Sequence, residues 1–287
     1  MHVPVLPAEV LDGLRIRPEG TFYDTTSGLG GHSRAIAERL TTGKLYSCDR
    51  DSESLELAKA NCAGLLERIE FVHAAFSELA SKLTALGVGP ADGLLADLGV
   101  SRMQLTTADR GFSFMADGPL DMRMNRQSDG PTAADIVNFT HENDLADLIY
   151  EFGEERRSRR IARAICKARQ IRSTLQLAQV IESAVPRIGK IHPATQTFQA
   201  LRIKVNGELE EVESLLDAIP RLVATGGRVA VISFHSLEDR ILKRRFQQWA
   251  REGKVEILTK HVVKPSQEEI NANKASRSAK LRLVEMK

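Results

Sequence analysis

The stretch Thr21-Phe22-Tyr23-Asp24-Thr25-Thr26-Ser27-Gly28-Leu29-Gly30-Gly31-His32-Ser33 decides the fold. Thr21–Asp24 is a strand-like run, and Ser33–Leu40 reads as a helix. The glycine-rich turn between them lets backbone amides approach a ligand without interference from a Cβ. A helix N-terminus adds free N–H groups and the positive end of a dipole, which suits a phosphate or the carboxylate of an amino acid. A second strand-like run, Lys44–Cys48, leads into Asp49, 21 residues after Gly28. An acidic residue at that spacing can accept hydrogen bonds from both hydroxyls of a ribose.

Outward from this stretch the alternation continues. Ile69–His73 and Gly93–Asp97 are strand-like, while Leu55–Cys62 and Phe76–Leu86 are helix-like. Gly43 and Gly64 stand where helices end. This pattern predicts a parallel sheet covered by helices. After about Leu105 it stops. Residues 112–131 are rich in Gly, Asp, Met and Pro and read as loop, and Asn143 to Val185 reads as helical throughout. The α/β pattern returns with a helix at Glu208–Leu222, a strand at Arg228–Ser233 and a helix at Leu237–Trp249. Two last strand-like runs, Val255–Val263 and Lys280–Glu285, have no helix of ordinary length between them, so they are expected to pair antiparallel. The expected organisation is a discontinuous core, residues 1–105 and 203–287, interrupted by a helical insertion over 106–202.

The 287 residues are 42% hydrophobic and 27% charged, a globular composition. No apolar run is long enough for a membrane helix, and Met1–Leu6 does not read as a secretory signal. Cys48, Cys62 and Cys166 are far apart and form no CxxC or CxxH pair, so neither a zinc site nor a disulfide framework is expected, and reduced cytoplasmic thiols fit. Net charge is only +2, which names no polyanionic partner. Its distribution is more informative. Arg156, Arg157, Arg159, Arg160, Arg163, Lys167, Arg169 and Arg172 crowd one segment, with Lys274, Arg277, Lys280 and Arg282 near the end. Ile161 and Ile165 share one helical face, and Arg156, Arg160, Arg163 and Lys167 are expected on another. Such a cluster can follow a phosphate backbone, or it can be a solvated helix face.

The order G-x-G-G-H departs from the GxGxxG of dinucleotide sites, and no GxxxxGK[ST] occurs. Asp97 ends the fourth strand, where methyltransferases often carry an acidic residue or asparagine. The expected antiparallel end of the sheet points the same way. Longer motifs sharpen this. They are Gly30–Ser33, Asp97-Leu98-Gly99-Val100-Ser101, Arg110-Gly111-Phe112-Ser113-Phe114, DGPLDMRM over Asp117–Met124, HPAT over His192–Thr195, TFQALRI over Thr197–Ile203 and ISFHSLEDR over Ile232–Arg240. On these the chain resembles the bacterial MraW family, the ribosomal RNA small subunit methyltransferase H family. It departs from the family pattern at Arg102-Met103, where a serine and a proline are common, and at Gln196, where arginine is usual.

The resemblance implies an α/β fold: a Rossmann-like class I S-adenosylmethionine-dependent methyltransferase sheet with an inserted all-helical domain. It implies methyl transfer from S-adenosylmethionine to the exocyclic N4 of a cytidine in the decoding region of 16S ribosomal RNA, within the small ribosomal subunit, in the cytoplasm. It implies cofactor contacts at Gly30, Gly31, His32, Asp49, Phe76, Asp97 and Gln104. Asp49 would hold the ribose, Phe76 would stack on adenine, and Gly30, Gly31 and His32 would hold the methionine end. The insertion would recognise RNA. The N4 amine is a weak nucleophile, so amine and methyl donor must be aligned and a proton accepted; no covalent nucleophile is needed, no metal ligands are expected, and alignment supplies on the order of 7–11 kcal/mol in good model systems. No NPPY, DPPY or SPPY motif is present, which leaves Asp97 and nearby carbonyls to polarise the amine. His235 could contact the base or cap a helix through His235-Ser236-Leu237-Glu238. Phe112, Phe114 and Phe234 could stack on a flipped base or lie in the core. Other readings remain open: a protein or DNA acceptor, a non-catalytic RNA-binding assembly factor, and a nicotinamide dehydrogenase.

Overall fold

The chain alternates strand and helix through its first hundred residues, as the apolar runs require. In the computed structural model, which describes residues 4–187, 189 and 191–287, the order is α1 (Pro7–Leu14), β1 (Thr21–Asp24), α2 (Gly31–Ala37), β2 (Lys44–Asp49), α3 (Ser52–Asn61), β3 (Ile69–His73), α4 (Phe76–Ala85) and β4 (Ala91–Asp97). A helical stretch follows: α5 (Arg102–Thr106), α6 (Ala133–Phe139), α7 (Glu142–Gly153), α8 (Ser158–Ala168), α9 (Thr174–Ala184) and α10 (Ala194–Asn206). The chain then forms α11 (Glu208–Leu222), β5 (Val223–Ser233), α12 (Ser236–Arg251), β6 (Val255–Ile257), α13 (Gln267–Ala272) and β7 (Lys280–Met286). Two compact units result. One comprises the residues up to Gly99 with Leu209–Lys287, the other Val100–Glu208. The reading of Met1–Leu6 rests partly on residues 1–3, which lie outside the described residues. No helix among the described residues is long and apolar enough to cross a membrane.

The first unit is built on a seven-stranded sheet of order β3-β2-β1-β4-β5-β7-β6. β1 to β5 are parallel, and β7 runs antiparallel to both β5 and β6. Side chains alternate between the two faces. Tyr23, Leu94, Val229 and Val231 point into one apolar layer, covered by Leu79 and Leu83 of α4, Leu215 and Ile219 of α11, and Leu242 and Phe246 of α12. Phe22, Leu95, Ala230 and Ile232 point into the other, covered by Val10 and Leu14 of α1 and Ile36 of α2. Both faces of the central strands are dry, which is why those strands read as near-continuous apolar runs.

The second unit has its own core, in which Ile136, Leu145, Ile149, Ile161, Ile165, Leu177, Ile181, Phe198 and Leu201 are buried. The DGPLDMRM segment is a loop, and it is held from inside. Asn206 Oδ1 accepts from Met124 N at 2.8 Å, and its Nδ2 donates to Met122 O (2.8 Å) and Arg202 O (2.9 Å). The buried Arg110 guanidinium donates to Met124 O at 2.7 Å. Gly111 has φ +73°, and a Cβ there would stand 2.2 Å from Pro119 O, so only glycine lets the two backbones close.

Several expected boundaries move. The helical reading of Asn143–Val185 resolves into three helices, because Glu154 caps α7 in the left-handed conformation (φ 52°) and residues 169–173 are extended or irregular. β5 begins at Val223 rather than Arg228: Val223 pairs with Ala91 and Arg228 with Gly93, and the intervening residues bulge around Gly226. The strand expected over Val255–Val263 keeps only Val255–Ile257, with Val263 making an isolated bridge to Leu281. The antiparallel end is present as expected.

Asn206→Ala leaves the Met124 N–H and the Met122 carbonyl without their buried partner. Each such orphan costs about 1–3 kcal/mol, so the variant should lose roughly 2–4 kcal/mol of unfolding free energy in urea titration. An unchanged urea midpoint would show that the loop is held elsewhere.

Candidate functional site

The strand order reverses between β1 and β4, which opens a crevice at the carboxyl ends of the parallel strands. The glycine turn sits there, tied to both neighbouring strands. Thr25 N donates to Leu95 O at 2.9 Å and its hydroxyl to the same oxygen at 2.8 Å. Asp97 N donates to Thr26 Oγ1 at 2.6 Å. On the other side Ser27 N donates to Cys48 O at 2.7 Å, and Gly28 N to Asp49 Oδ2 at 2.7 Å. Asn61 at the end of α3 donates to Leu29 O at 3.0 Å. Gly30 caps α2 with φ +82°, and a Cβ there would lie 3.0 Å from Cys62 Sγ and 3.3 Å from the Ala58 Cα.

Beneath the turn runs a chain of buried polar groups. The fully buried Asp24 carboxylate accepts from Ser33 Oγ at 2.6 Å and from Thr26 N at 3.1 Å. Ser33 Oγ lies 2.7 Å from Ser47 Oγ, which donates to Ser27 Oγ at 2.8 Å. Nothing in the glycine spacing announces this relay. Its one sequence signal is Ser47, a hydroxyl in the middle of an otherwise strand-forming run.

Among the expected contacts, Gly30, Gly31, His32, Asp49, Phe76 and Asp97 all belong to the first unit. His32 is buried in the first turn of α2, with Nε2 3.7 Å from Asp97 Oδ2. Asp49 holds the turn through Gly28 and also accepts from Asp51 N at 2.9 Å, so each oxygen keeps room for one further donor. Asp49 pairs with His73 in the sheet, which brings Phe76, the first residue of α4, to the same edge. Gln104 lies in the second unit, where its Oε1 accepts from Ser101 N at 2.9 Å in a capping box. That box forms with Arg102 and Met103 as the first residues of α5, so the turn does not depend on the proline usual there.

Of the alternatives left open, the structure shows the following. His235 caps α12: its Nδ1 accepts from Glu238 N at 3.4 Å and its Nε2 is 3.2 Å from Glu238 Oε1. Phe112 is buried core, and Phe114 packs on His192 and Phe198, so neither is a free stacking face. The basic cluster is smaller than its count. Arg157 is held by Glu155 at 3.0 Å, Arg169 donates to Val137 O at 2.9 Å, and Arg156 precedes α8 rather than sharing its face. Arg159, Arg160, Arg163 and Lys167 form the exposed face of α8. Lys280 and Arg282 are paired with Asp239.

Three carboxylates therefore stand at the ends of β2, β1 and β4. Burial pushes Asp24 up to about 6, against the pull of Ser33 and Thr26. Burial also pushes Asp49 up to about 6, against the amides of Asp51 and Gly28. Asp97 is raised well above the usual range, by burial first and then by the charges of Asp24 and Glu238. Such a trio favours a ligand with positive charge and hydroxyl donors and repels the pyrophosphate of a dinucleotide.

The sequence matches the MraW methylase family over residues 1–287. The chain belongs to the MraW methylase family. It is 57% identical over 287 residues to a ribosomal RNA small subunit methyltransferase H of Solibacter usitatus, covering 100% of both chains. The protein of that name from Koribacter versatilis is 51% identical over 298 aligned residues, covering 100% of this chain and 94% of that one. The one from Acidobacterium capsulatum is 50% identical over 296, covering 100% and 98%. With this sheet order and its antiparallel β7, the MraW chain has the class I methyltransferase fold, and its methyl donor is S-adenosylmethionine. The residues fit that donor: Asp97 Oδ1 is buried with no hydrogen-bond partner among the described residues, and the carboxylate trio matches a cationic sulfonium and ammonium.

The raised proton affinity of Asp24 couples folding to pH. A carboxylate near 6 in the folded chain and about 3.9 unfolded binds its proton more tightly when folded. Its stabilising contribution is complete below about pH 4 and is lost as pH rises through about 6. Asp24→Asn should therefore flatten the fall in unfolding free energy between pH 4 and 6, read by urea titration across that range. An identical slope in the variant would reject the assignment.

Proposed function

We propose that the chain transfers a methyl group from S-adenosylmethionine to the exocyclic N4 of a cytidine in the decoding region of 16S ribosomal RNA. The single observation that carries this reading is the full-length identity to three proteins named ribosomal RNA small subunit methyltransferase H, on a chain whose carboxylate trio suits the donor. When bound, S-adenosylmethionine supplies a methyl group activated by its sulfonium. Asp49 would hold the ribose hydroxyls through its two remaining acceptor sites while keeping the Gly28 amide. Gly30, Gly31 and His32 would hold the methionine end, and Phe76 would stack on the adenine. By the family resemblance, Asp97 and Gln104 would also contact the cofactor.

The target amine needs an acceptor that orients its lone pair and takes its proton. Asp97 suits this: its side chain is partly exposed, its buried Oδ1 has no hydrogen-bond partner among the described residues, and burial raises its proton affinity. The helical unit supplies RNA recognition, through the exposed Arg159, Arg160, Arg163 and Lys167 of α8 together with Arg156. The substrate is a small-subunit RNA, and the location is cytoplasmic.

Two measurements test this. Nucleoside mass spectrometry of 16S RNA from cells with and without the gene should show N4-methylated cytidine only with it; a different methylated nucleoside would move the acceptor elsewhere. Asp49→Ala should weaken S-adenosylmethionine binding in calorimetry by at least about tenfold, the loss of about 1.4 kcal/mol expected for a charge-assisted hydrogen bond. Wild-type affinity in that variant would remove Asp49 from the site.

A further inference from the structure

The second unit carries a large aromatic side chain where no core needs one. Phe139, the last residue of α6, is 74% exposed. Its backbone is nevertheless fixed on both sides. Asn138 exchanges two hydrogen bonds with Ile171, at 2.8 and 2.9 Å. Arg169 donates to Val137 O at 2.9 Å and also to Thr140 O. The end of α6 is thus pinned to the segment joining α8 to α9, and the ring is held out to solvent from a rigid corner.

Cations surround that corner. Arg172 follows the pinned Ile171 and is exposed. Arg163 reaches the start of α7, with Nε 3.5 Å from Glu142 Oε1, three residues beyond Phe139. Lys167 stands one turn further along α8, on the same exposed face. The Arg163–Glu142 pair is solvent-exposed on both sides (78% and 44%), so it contributes little and a phosphate can displace the carboxylate.

We infer that this corner of the helical unit binds an unpaired stretch of RNA, with a base stacked on Phe139 and flanking phosphates on Arg163, Lys167 and Arg172. A fixed aromatic face among cations matches a strand whose bases are free to stack; in a duplex those faces are covered by neighbouring bases. The inference deepens the proposed RNA substrate and rests on it.

The test uses the full chain and fluorescence anisotropy with a roughly 12-nucleotide single-stranded RNA and the same RNA annealed into a duplex. Phe139→Ala should weaken single-strand binding about 5- to 30-fold, leave duplex binding within about twofold, and leave the salt dependence unchanged. Phe139→Trp should retain wild-type affinity. Arg172→Ala should weaken binding of both RNAs and reduce the slope of log affinity against log salt by about 1. Each variant should bind S-adenosylhomocysteine as the wild type does, which separates a lost contact from a lost fold. Equal single-strand affinity of Phe139→Ala and wild type, or an equal loss on duplex, overturns the stacking assignment alone. Failure of the wild type to bind either RNA, with cofactor binding intact, overturns the RNA reading with it.

Discussion

A carboxylate sealed inside the sheet, Asp24 at the end of β1, is the constraint on which the site depends. Burying it is costly, and the structure offsets the cost with the Ser33 hydroxyl and the Thr26 amide. Ser33 belongs to α2 and Ser47 to β2, so satisfying one charge fixes the helix, the neighbouring strand and the turn between them. Thr26 extends the effect to β4, because the hydroxyl that lies near Asp24 also accepts the Asp97 amide. The glycines supply the permitted backbone shape, and the buried polar chain selects it.

The same region concentrates negative charge in a place shielded from water. Burial raises the proton affinity of Asp24, Asp49 and Asp97, and the charge of Asp24 adds to the rise at the other two; a cationic ligand would relieve that tension. A turn of similar outline facing a pyrophosphate would need fewer acids.

Much of this was legible. β1, β3 and α11 coincide with their expected ranges: β1 follows Gly20, and α11 follows Gly207 with apolar residues at helical spacing. The early part of β5 was hidden, since Gly226-Gly227 looks like an end when it is a bulge inside a strand. The break after α7 falls one residue past Gly153, with Glu154 rather than the glycine in the left-handed conformation, and no glycine or proline stands between α8 and α9. For the site, the glycine turn and the strand-end acids could be placed from spacing. The hydroxyl relay could not, because Ser27, Ser33 and Ser47 meet only through tertiary packing. Charge counting misled most: Arg157, Arg169, Lys280 and Arg282 are spent on internal partners, and sequence reports a side chain's charge without its neighbours.

The interruption of the sheet has a consequence for biosynthesis. β4 must pair with β5, yet the ribosome releases β5 well over a hundred residues later. At about 5–20 residues per second that is a wait of roughly 6–25 s, during which the edge of β4 has no native neighbour. The intervening helices share a core of their own and can fold within that interval. The nascent chain thus holds an incomplete sheet beside a finished helical unit, and that edge is where a chaperone would be needed.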